Sequence, residues 1–469
     1  MTPSRSALLL TALMLSPPAI HAMAQPASAQ TLQEALALAY SNNPTLQSAR
    51  AQLRAVDESV PQALAGWRPT VQVTGSVGQS ATSAVGTPAG SNVQSRTPWR
   101  SRDAVSTQAA VTQPIYRGGR TTASTRRAEN QVLAQRARLI ATEQQVLQDT
   151  VNSYVAVIRD QEEVRLQINN EQVLTRQLQA TNERFRVGEI TRTDVAQAES
   201  RLAGSRASRA DAEGRLQQSR ATFARLVGQP PARLVAPQPL RVPVASAQEA
   251  GTIASQNNPN VVAALFDEAA ARDLVDVNFS SLLPQVSVTG AVSRNDNSTT
   301  DGIRQNGSSV TANLTVPLYQ GGSEHALVRQ ARQSAQQARQ IVEDQRRAAT
   351  QQATQAWETL TAARAQVDSV RAQIRAAEIA LDGVQREAVV GSRTTLDVLN
   401  AEQELLNARV SLVRALANVI TASHSVASSL GRLTARDLSL PVQIYDMEAY
   451  YREVRNRWAG WGDYAQQGR

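Results

Sequence analysis

The chain contains no cysteine and no lysine among its 469 residues, and aromatic side chains make up only 4% of it. Without cysteine it has no disulfide framework, no thiolate nucleophile and no cysteine that could carry an N-terminal lipid anchor. Arginine alone supplies the formal charge of +8. Because the arginines are interspersed with Asp and Glu and few aromatics are available for base stacking, nucleic acid is not among the expected partners.

Long apolar runs are also absent beyond the N-terminus. The longest run, Ala7 to Leu15, follows Arg5 and precedes the small-residue sites Ala22-Met23-Ala24 and Ala27-Ser28-Ala29. This order predicts a cleaved secretory signal over 1–24, with cleavage as late as 29 as the alternative, since the run is too short to span a bilayer. We therefore expect an exported chain without a transmembrane helix.

Catalytic and metal-binding constellations are missing as well. Beyond the predicted signal the only histidines are His325 and His424, each within a predicted helix. Glycine spacings of the GxGxxG or GK[ST] type and metal-ligand spacings do not occur. The sequence predicts no enzyme, no cofactor and no metal site.

What the chain does contain is an internal duplication. The phrase QPIYRGGR, Gln113–Arg120, returns as VPLYQGGS, Val316–Ser323, 203 residues later. Three further pairs are also 203 residues apart: Val187-Gly188 with Val390-Gly391, Asp194-Val195 with Asp397-Val398, and Gly228 with Gly431. Nearer the N-terminus, Asn42-Asn43-Pro44 returns as Asn257-Asn258-Pro259, 215 residues later. One supersecondary unit is used twice.

The repeats define the expected domain boundaries. The first repeat covers 30–228 and the second 247–431, each predicted to hold a helix, a β-hairpin and a long helical hairpin. A linker, 229–246, separates them, and a C-terminal segment, 432–469, follows. The offset shortens from 215 to 203 residues between Gly75 and Pro114, which predicts a longer hairpin loop in the first copy.

Four segments alternate apolar and polar residues with the period of two that is typical of strands. They are Arg68–Gln79, Val105–Ile115, a stretch beginning at Gln285, and Val310–Leu318. The apolar face of the two outgoing strands comprises Val71, Val73, Gly75, Val77, Val286, Val288, Gly290 and Val292. The pattern predicts two hairpins of roughly ten-residue strands, closed by polar loops at 80–101 and 294–307. Two surface hairpins on a soluble domain remain the alternative.

Almost all of the remaining sequence favours helices. Gly119 to Gly188 and Gly322 to Gly391 are nearly free of helix breakers, and each predicts a rod of roughly 100 Å. Val132, Leu139 and Val146 follow heptad spacing, which indicates coiled-coil packing. Each rod is followed by a shorter returning helix of roughly 40 residues that ends at Gly228 or Gly431. These shorter helices are expected to stack end to end with helices near residues 31–66 and 247–282, and so to match the length of the rods.

The repeated glycine phrase joins the two kinds of structure. Pro114 and Pro317 are tolerated only at a strand end or edge. Tyr116 and Tyr319 suit an aromatic girdle at a membrane interface. The glycine pairs provide the hinge from strand to helix; these are Gly118, Gly119, Gly321 and Gly322.

The duplicated hairpins, the PxYxGG phrase and the VG-x5-DV turns resemble the TolC family of outer-membrane efflux and secretion ducts over essentially the whole chain after the signal. The resemblance implies a homotrimer in which four strands per chain form a twelve-stranded transmembrane β-barrel. It also implies a long periplasmic α-helical barrel and an equatorial belt at 229–246 and 432–469. Implied partners are a periplasmic adaptor, an inner-membrane ABC or proton-driven transporter, and outer-membrane lipid.

The tips of the helical hairpins carry the candidate site. Thr191 to Asp194 and Thr394 to Asp397 both read [ST]-x-x-[DE], which predicts capping boxes. The resemblance implies a second role for these tips, which turn at Gly188 and Gly391: they close the periplasmic end of the duct. It implies that Asp397 faces the aperture and that Arg393 links to Thr193 or Asp194. Asn400 stands where some members have a further acidic residue.

We therefore expect a passive export duct of the outer membrane, extending into the periplasm, with type I protein secretion favoured. Small-molecule efflux with a proton-driven pump is the alternative within this class. A structural surface coiled coil is the alternative from another class, but a fibre does not need its helices to return at Gly188 and Gly391. The C-terminal stretch from Leu440 to Trp458, similar to the ends of type I secretion members, favours protein cargo.

Overall fold

A computed structural model describes residues 29–87, 89–90, 92–297 and 302–462. The predicted signal peptide lies outside these ranges, as do residues 463–469. The first repeat contains α1 Leu32–Asn42, α2 Pro44–Asp57, α3 Ser59–Leu64, β1 Thr70–Gly86, β2 Ser95–Arg117, α4 Arg120–Arg186 and α5 Arg192–Val227. The second contains α6 Ala247–Asn257, α7 Pro259–Phe279, β3 Gln285–Asp296, β4 Arg304–Thr315, α8 Ser323–Val389 and α9 Thr395–Ser429, and α10 Ala449–Val454 follows. The recurring order confirms the duplication.

The four strands form one antiparallel sheet in the order β1-β2-β3-β4. One row across the sheet joins Thr70, Thr112, Thr289 and Thr311. The adjacent row joins Val71, Val111, Gly290 and Val310. Paired residues share a face, so the predicted apolar and polar faces run unbroken across both hairpins, and the parity taken from the sequence is confirmed.

The strand lengths and loops differ from the expectation. β1 has 17 residues and β2 has 23, against 12 each in β3 and β4. The extra residues of the first copy lengthen its strands, so the predicted loop at 80–101 is wrong over most of its length: β1 continues to Gly86 and β2 begins at Ser95. The predicted loop at 294–307 is wrong at both ends, because β3 continues to Asp296 and β4 begins at Arg304. Polar Ser and Thr weaken the periodicity in the first hairpin, yet the backbone pairing continues to Gly86 with Ser95. β4 ends at Thr315, before the predicted Leu318.

The long helices match their prediction closely. α4 and α8 each have 67 residues, a length of about 100 Å at 1.5 Å per residue. Val132, Leu139 and Val146 are all buried. α5 returns beside α4 and α9 beside α8, while α7 lies between the two long helices.

The repeated Asn-Asn-Pro motif holds the short helices end to end. Asn43 caps α2 by accepting from Thr45 N at 2.9 Å, and its amide donates to Leu226 O of α5 at 3.0 Å. Asn258 does the same in the second copy, accepting from Asn260 N at 3.0 Å and donating to Ser429 O at 3.2 Å. One buried side chain therefore caps the start of one helix and the end of another, so α2 continues α5, and α7 continues α9.

The segment after α9 runs along α4 towards the strands. Ala435 N donates to Glu143 at 2.7 Å, Arg136 pairs with Glu448 at 3.0 Å, and Arg455 pairs with Glu129 at 2.9 Å. At the root of β1, Arg68 donates to Arg457 O at 2.5 Å. The partners on α4 move steadily towards its N-terminus, so this segment braces the helices up to the sheet.

α9 contains a window of mean hydropathy 1.2 and has the length and composition of a membrane-crossing helix. Its apolar side chains instead serve packing. Ala415, Val419 and Val426 belong to a buried cluster with residues of α6, α7 and α8. These side chains of α9 therefore pack against the neighbouring helices.

Candidate aperture and strand to helix junctions

The glycine pairs connect strand and helix within two residues in the first copy. β2 ends at Arg117 and α4 begins at Arg120. All four predicted hinge glycines have positive φ, between 60° and 82°, a region that L side chains rarely adopt. At Gly118 a Cβ atom would also lie 2.6 Å from Ser280 O. The hinge in the first copy is therefore fixed by both backbone conformation and contact.

Pro114 lies at a register shift in β2. It pairs with Ser287, and the next paired residue is Tyr116, opposite Val286, so Ile115 is the extra residue of a bulge. Val286 pairs in turn with Leu314. The bulge thus places Tyr116 on the apolar face in one row with Val286 and Leu314. Pro317 and Tyr319 lie beyond the end of β4, where Tyr319 is exposed.

The two tips have the same backbone turn. Val187 and Val390 are the C-cap residues of the long helices, and Gly188 and Gly391 follow with φ of 79° and 81°. Ser392 N donates to Glu387 O at 3.0 Å, as Glu189 N does to Arg184 O at 3.0 Å. The left-handed glycine turns each chain back within a few residues.

Both predicted capping boxes are present. Asp194 accepts from Thr191 N at 3.0 Å and from the Thr191 hydroxyl at 2.8 Å. Asp397 accepts from Thr394 N at 3.0 Å and from its hydroxyl at 2.8 Å. The donors of Thr394 lower the pKa of the Asp397 carboxyl, and nearby Arg393 acts in the same direction. Each acid therefore stabilises the first turn of its helix, and both lie at exposed tips.

Within the chain Arg393 is engaged by its own hairpin. Its Nε donates to Glu387 Oε2 at 2.9 Å. The first tip has an equivalent ion pair with the two charges in opposite positions. There the arginine, Arg184, lies at the helix end and the acid, Glu189, lies in the turn, 2.5 Å apart. The predicted link from Arg393 to Thr193 or Asp194 is not among the contacts within the described chain.

Asn400 contacts the other hairpin. Its Oδ1 accepts a hydrogen bond from Arg201 Nη2 of α5 at 2.8 Å. Beneath this contact Leu174, Leu202 and Leu399 form a buried cluster near the tips. Together they join α9 to the first helical hairpin. Asn400 could be predicted from the sequence, whereas Arg201 could not, because no motif distinguishes one arginine of α5 from the others.

A second connection between the hairpins has no sequence motif either. Glu163 of α4, whose side chain is 5% exposed, pairs with Arg215 of α5 at 2.5 Å and with Arg414 of α9 at 3.1 Å. Two guanidinium groups from different helices therefore share one buried carboxylate. The connection lies deeper in the helical part than Asn400, so α9 is held to α4 and α5 at two levels.

Comparison with known proteins follows this architecture. The family described as "Outer membrane efflux protein" matches residues 35–229 and 252–432, one segment in each repeat. "Outer membrane efflux protein BepC" of Brucella suis biovar 1 is 35% identical over 93% of this chain and 93% of its own length. "Alkaline protease secretion protein AprF" of Pseudomonas aeruginosa is 23% identical over 66% of each chain.

The solved Campylobacter jejuni CmeC outer membrane channel shares the fold, with a TM-score of 0.76 at 17% identity, over 91% of this chain and 89% of that one. The single four-stranded sheet with its long paired helices is therefore one third of a barrel joined to a helical tube. Members of the family work with adaptors and inner-membrane transporters. The chain belongs to the outer membrane efflux protein family, the trimeric TolC-like channels that cross the outer membrane and extend into the periplasm.

Proposed function

We propose that this channel is the passive exit duct of a tripartite system that exports a polypeptide, as in type I secretion. The observation that carries the duct is the direct passage from β2 at Arg117 to α4 at Arg120. A wall that continues from strand into a helix of 67 residues allows one uninterrupted passage from the periplasm to the outside. Energy comes from the inner-membrane transporter.

Protein cargo is supported by two observations. AprF, a relative over two thirds of the chain, is named for secretion of a protease. The C-terminal segment, similar to the ends of type I secretion members, is ordered along α4 through Glu448 and Arg455. Small-molecule efflux is the second candidate, and the 35% identity to a relative named as an efflux protein favours it.

The tips are proposed to form the periplasmic gate. Three copies of Asp397 and Asp194 at the end of a closed tube place acidic groups near one axis, where like charges repel and cations are attracted. Arg201 with Asn400, within each chain, is proposed to hold the second helical hairpin against the first. In the trimer, Arg393 is proposed to leave its contact with Glu387 and to contact Thr193 or Asp194 of the neighbouring chain instead.

Complementation tests the cargo. A Gram-negative host that lacks its own duct receives this chain with an ABC transporter and adaptor, or with a proton-driven pump and adaptor. Secreted polypeptide in the medium is expected for the first set. Restored drug resistance with the second set, without secretion by the first, would contradict the proposal. The Leu314→Arg variant, which places a charge on the lipid face, is the negative control for both.

A further inference from the structure

The first hairpin rises alone above the second. The last pair between β2 and β3 is Val105 with Asp296, whereas β1 and β2 stay paired as far as Gly86 with Ser95. In the trimer three such two-stranded ribbons, one from each chain, therefore stand at the extracellular mouth of the barrel.

Two arginines lie on the inner face of each ribbon. Ser80 pairs with Arg102 and Thr82 with Arg100, and these positions continue the polar face that begins at Thr70 and lines the lumen. Arg102 Nη2 donates to the Thr82 hydroxyl at 3.1 Å, which holds that guanidinium on this face. Arg100 is exposed.

The lumen wall below these arginines is uncharged. From the threonine row up to Arg102, the lumen-facing positions of the described strands carry only Thr, Ser, Gln, Asn, Ala and Gly. On the outer face at this height, Asp296 contacts Arg304 at 2.7 Å and Arg294 at 3.3 Å, and Asp103 lies opposite Gln79. Asp301, which follows β3 in the sequence, lies outside the described residues. Even if this acid faced the lumen, Arg100 and Arg102 would still give each chain a net positive charge at the mouth.

We propose that Arg100 and Arg102 of the three chains form an anion-binding ring at the extracellular mouth, and that its ligands are multivalent anions bearing phosphate, sulfate or several carboxylates. Guanidinium groups stay charged at all physiological pH values and present paired donors that match such oxyanions. Like charges that converge on one opening raise the local concentration of counter-ions. The ring therefore favours anionic solutes at the exit, whereas the proposed acidic tips favour cations at the entrance.

Side-specific channel block tests this ring. The helical tube cannot cross a planar bilayer, so the chamber to which the purified trimer is added is the periplasmic one. Tripolyphosphate is expected to reduce the single-channel conductance at lower concentration from the opposite, extracellular chamber. Replacing both arginines, Arg100→Gln with Arg102→Gln, is expected to raise the half-blocking concentration about tenfold or more.

Arg96→Gln is the matched control, because Arg96 lies on the same ribbon but pairs with Val85 on the outer face. It is expected to leave the block unchanged. Native mass and unblocked conductance verify that each variant is assembled. Equal block from the two chambers, or an equal loss of block in the Arg96→Gln variant, would overturn the ring. Raising the ionic strength is expected to weaken block of the parent channel and to affect the double variant less.

Discussion

Arg201 of α5 donates a hydrogen bond to Asn400 of α9 at 2.8 Å, next to the tips of the two helical hairpins. This bond joins two helices that are related by the duplication and belong to different hairpins. Opening the tips by moving α8 and α9 away from α4 and α5 has to break it, together with the contact of Leu399 with Leu174 and Leu202.

Arg201→Gln is expected to raise the mean single-channel conductance, because it removes a restraint that opposes opening. Arg206→Gln is the matched control, since Arg206 pairs with Glu171 inside its own hairpin at 3.3 Å. An exposed polar contact contributes about 0 to 1 kcal/mol, but three equivalent contacts act on one aperture. An equal conductance change in both variants would show that the Arg201 contact has no special role.

Asp397→Ala is expected to weaken block by divalent cations added on the periplasmic side. It also removes a capping interaction at the start of α9, which is expected to lower the unfolding temperature slightly. Because the pKa of Asp397 is lowered, the carboxylate and its contribution to stability are present at neutral pH and are lost only as the pH falls through that lowered value. If capping were its sole role, Asp397→Ala would lower the unfolding temperature while leaving cation block unchanged.

The proposed link between chains has its own test. Arg393→Ala combined with Asp194→Ala is expected to raise conductance about as much as either change alone, because each change removes the same contact between neighbouring tips. Glu387→Gln breaks only the contact of Arg393 within its own hairpin. A conductance increase in Glu387→Gln equal to that of the double variant would place the restraint inside one chain.

The two sheet faces should tolerate arginine differently. Val288→Arg or Leu314→Arg, on the lipid face, is expected to cost about 2 to 4 kcal/mol near the bilayer midplane. Thr289→Arg and Thr315→Arg, on the lumen face, are expected to be tolerated. Urea unfolding of trimers in lipid vesicles measures the difference. Equal losses at both sets would contradict the assignment of the faces.

Asp57 should make stability depend on pH. Burial raises the pKa of its carboxyl to about 6, against the opposing effect of Arg136 on α4, whereas Glu58 and Arg54 of its own segment act in opposite directions. The folded protein therefore favours the protonated acid. As the pH rises from about 4 to about 6, the Asp57 side chain lowers the free energy of unfolding by an increasing amount. Asp57→Asn is expected to raise stability above pH 6 by up to about 3 kcal/mol, with the gain disappearing near pH 4. A gain independent of pH would contradict this.

The duplication and strand parity could be predicted because they depend on local signals. Glycine breakers bounded α4 and α8, and alternation in Val71 to Val77 set the faces. The extension of β1 and β2 could not be predicted, because Ser and Thr in 79–86 give no apolar alternation while the backbone still pairs. The double capping by Asn43 was also hidden, since its partner Leu226 O is 183 residues away and any backbone carbonyl looks the same in sequence.

Three chains share one barrel, and native mass measurement of the purified chain in detergent tests this assembly most directly. Four strands with open edges at β1 and β4 cannot close alone. We expect an assembly of three times the protomer mass that forms conducting channels in planar bilayers. A stable monomer that retains its strand content would contradict it.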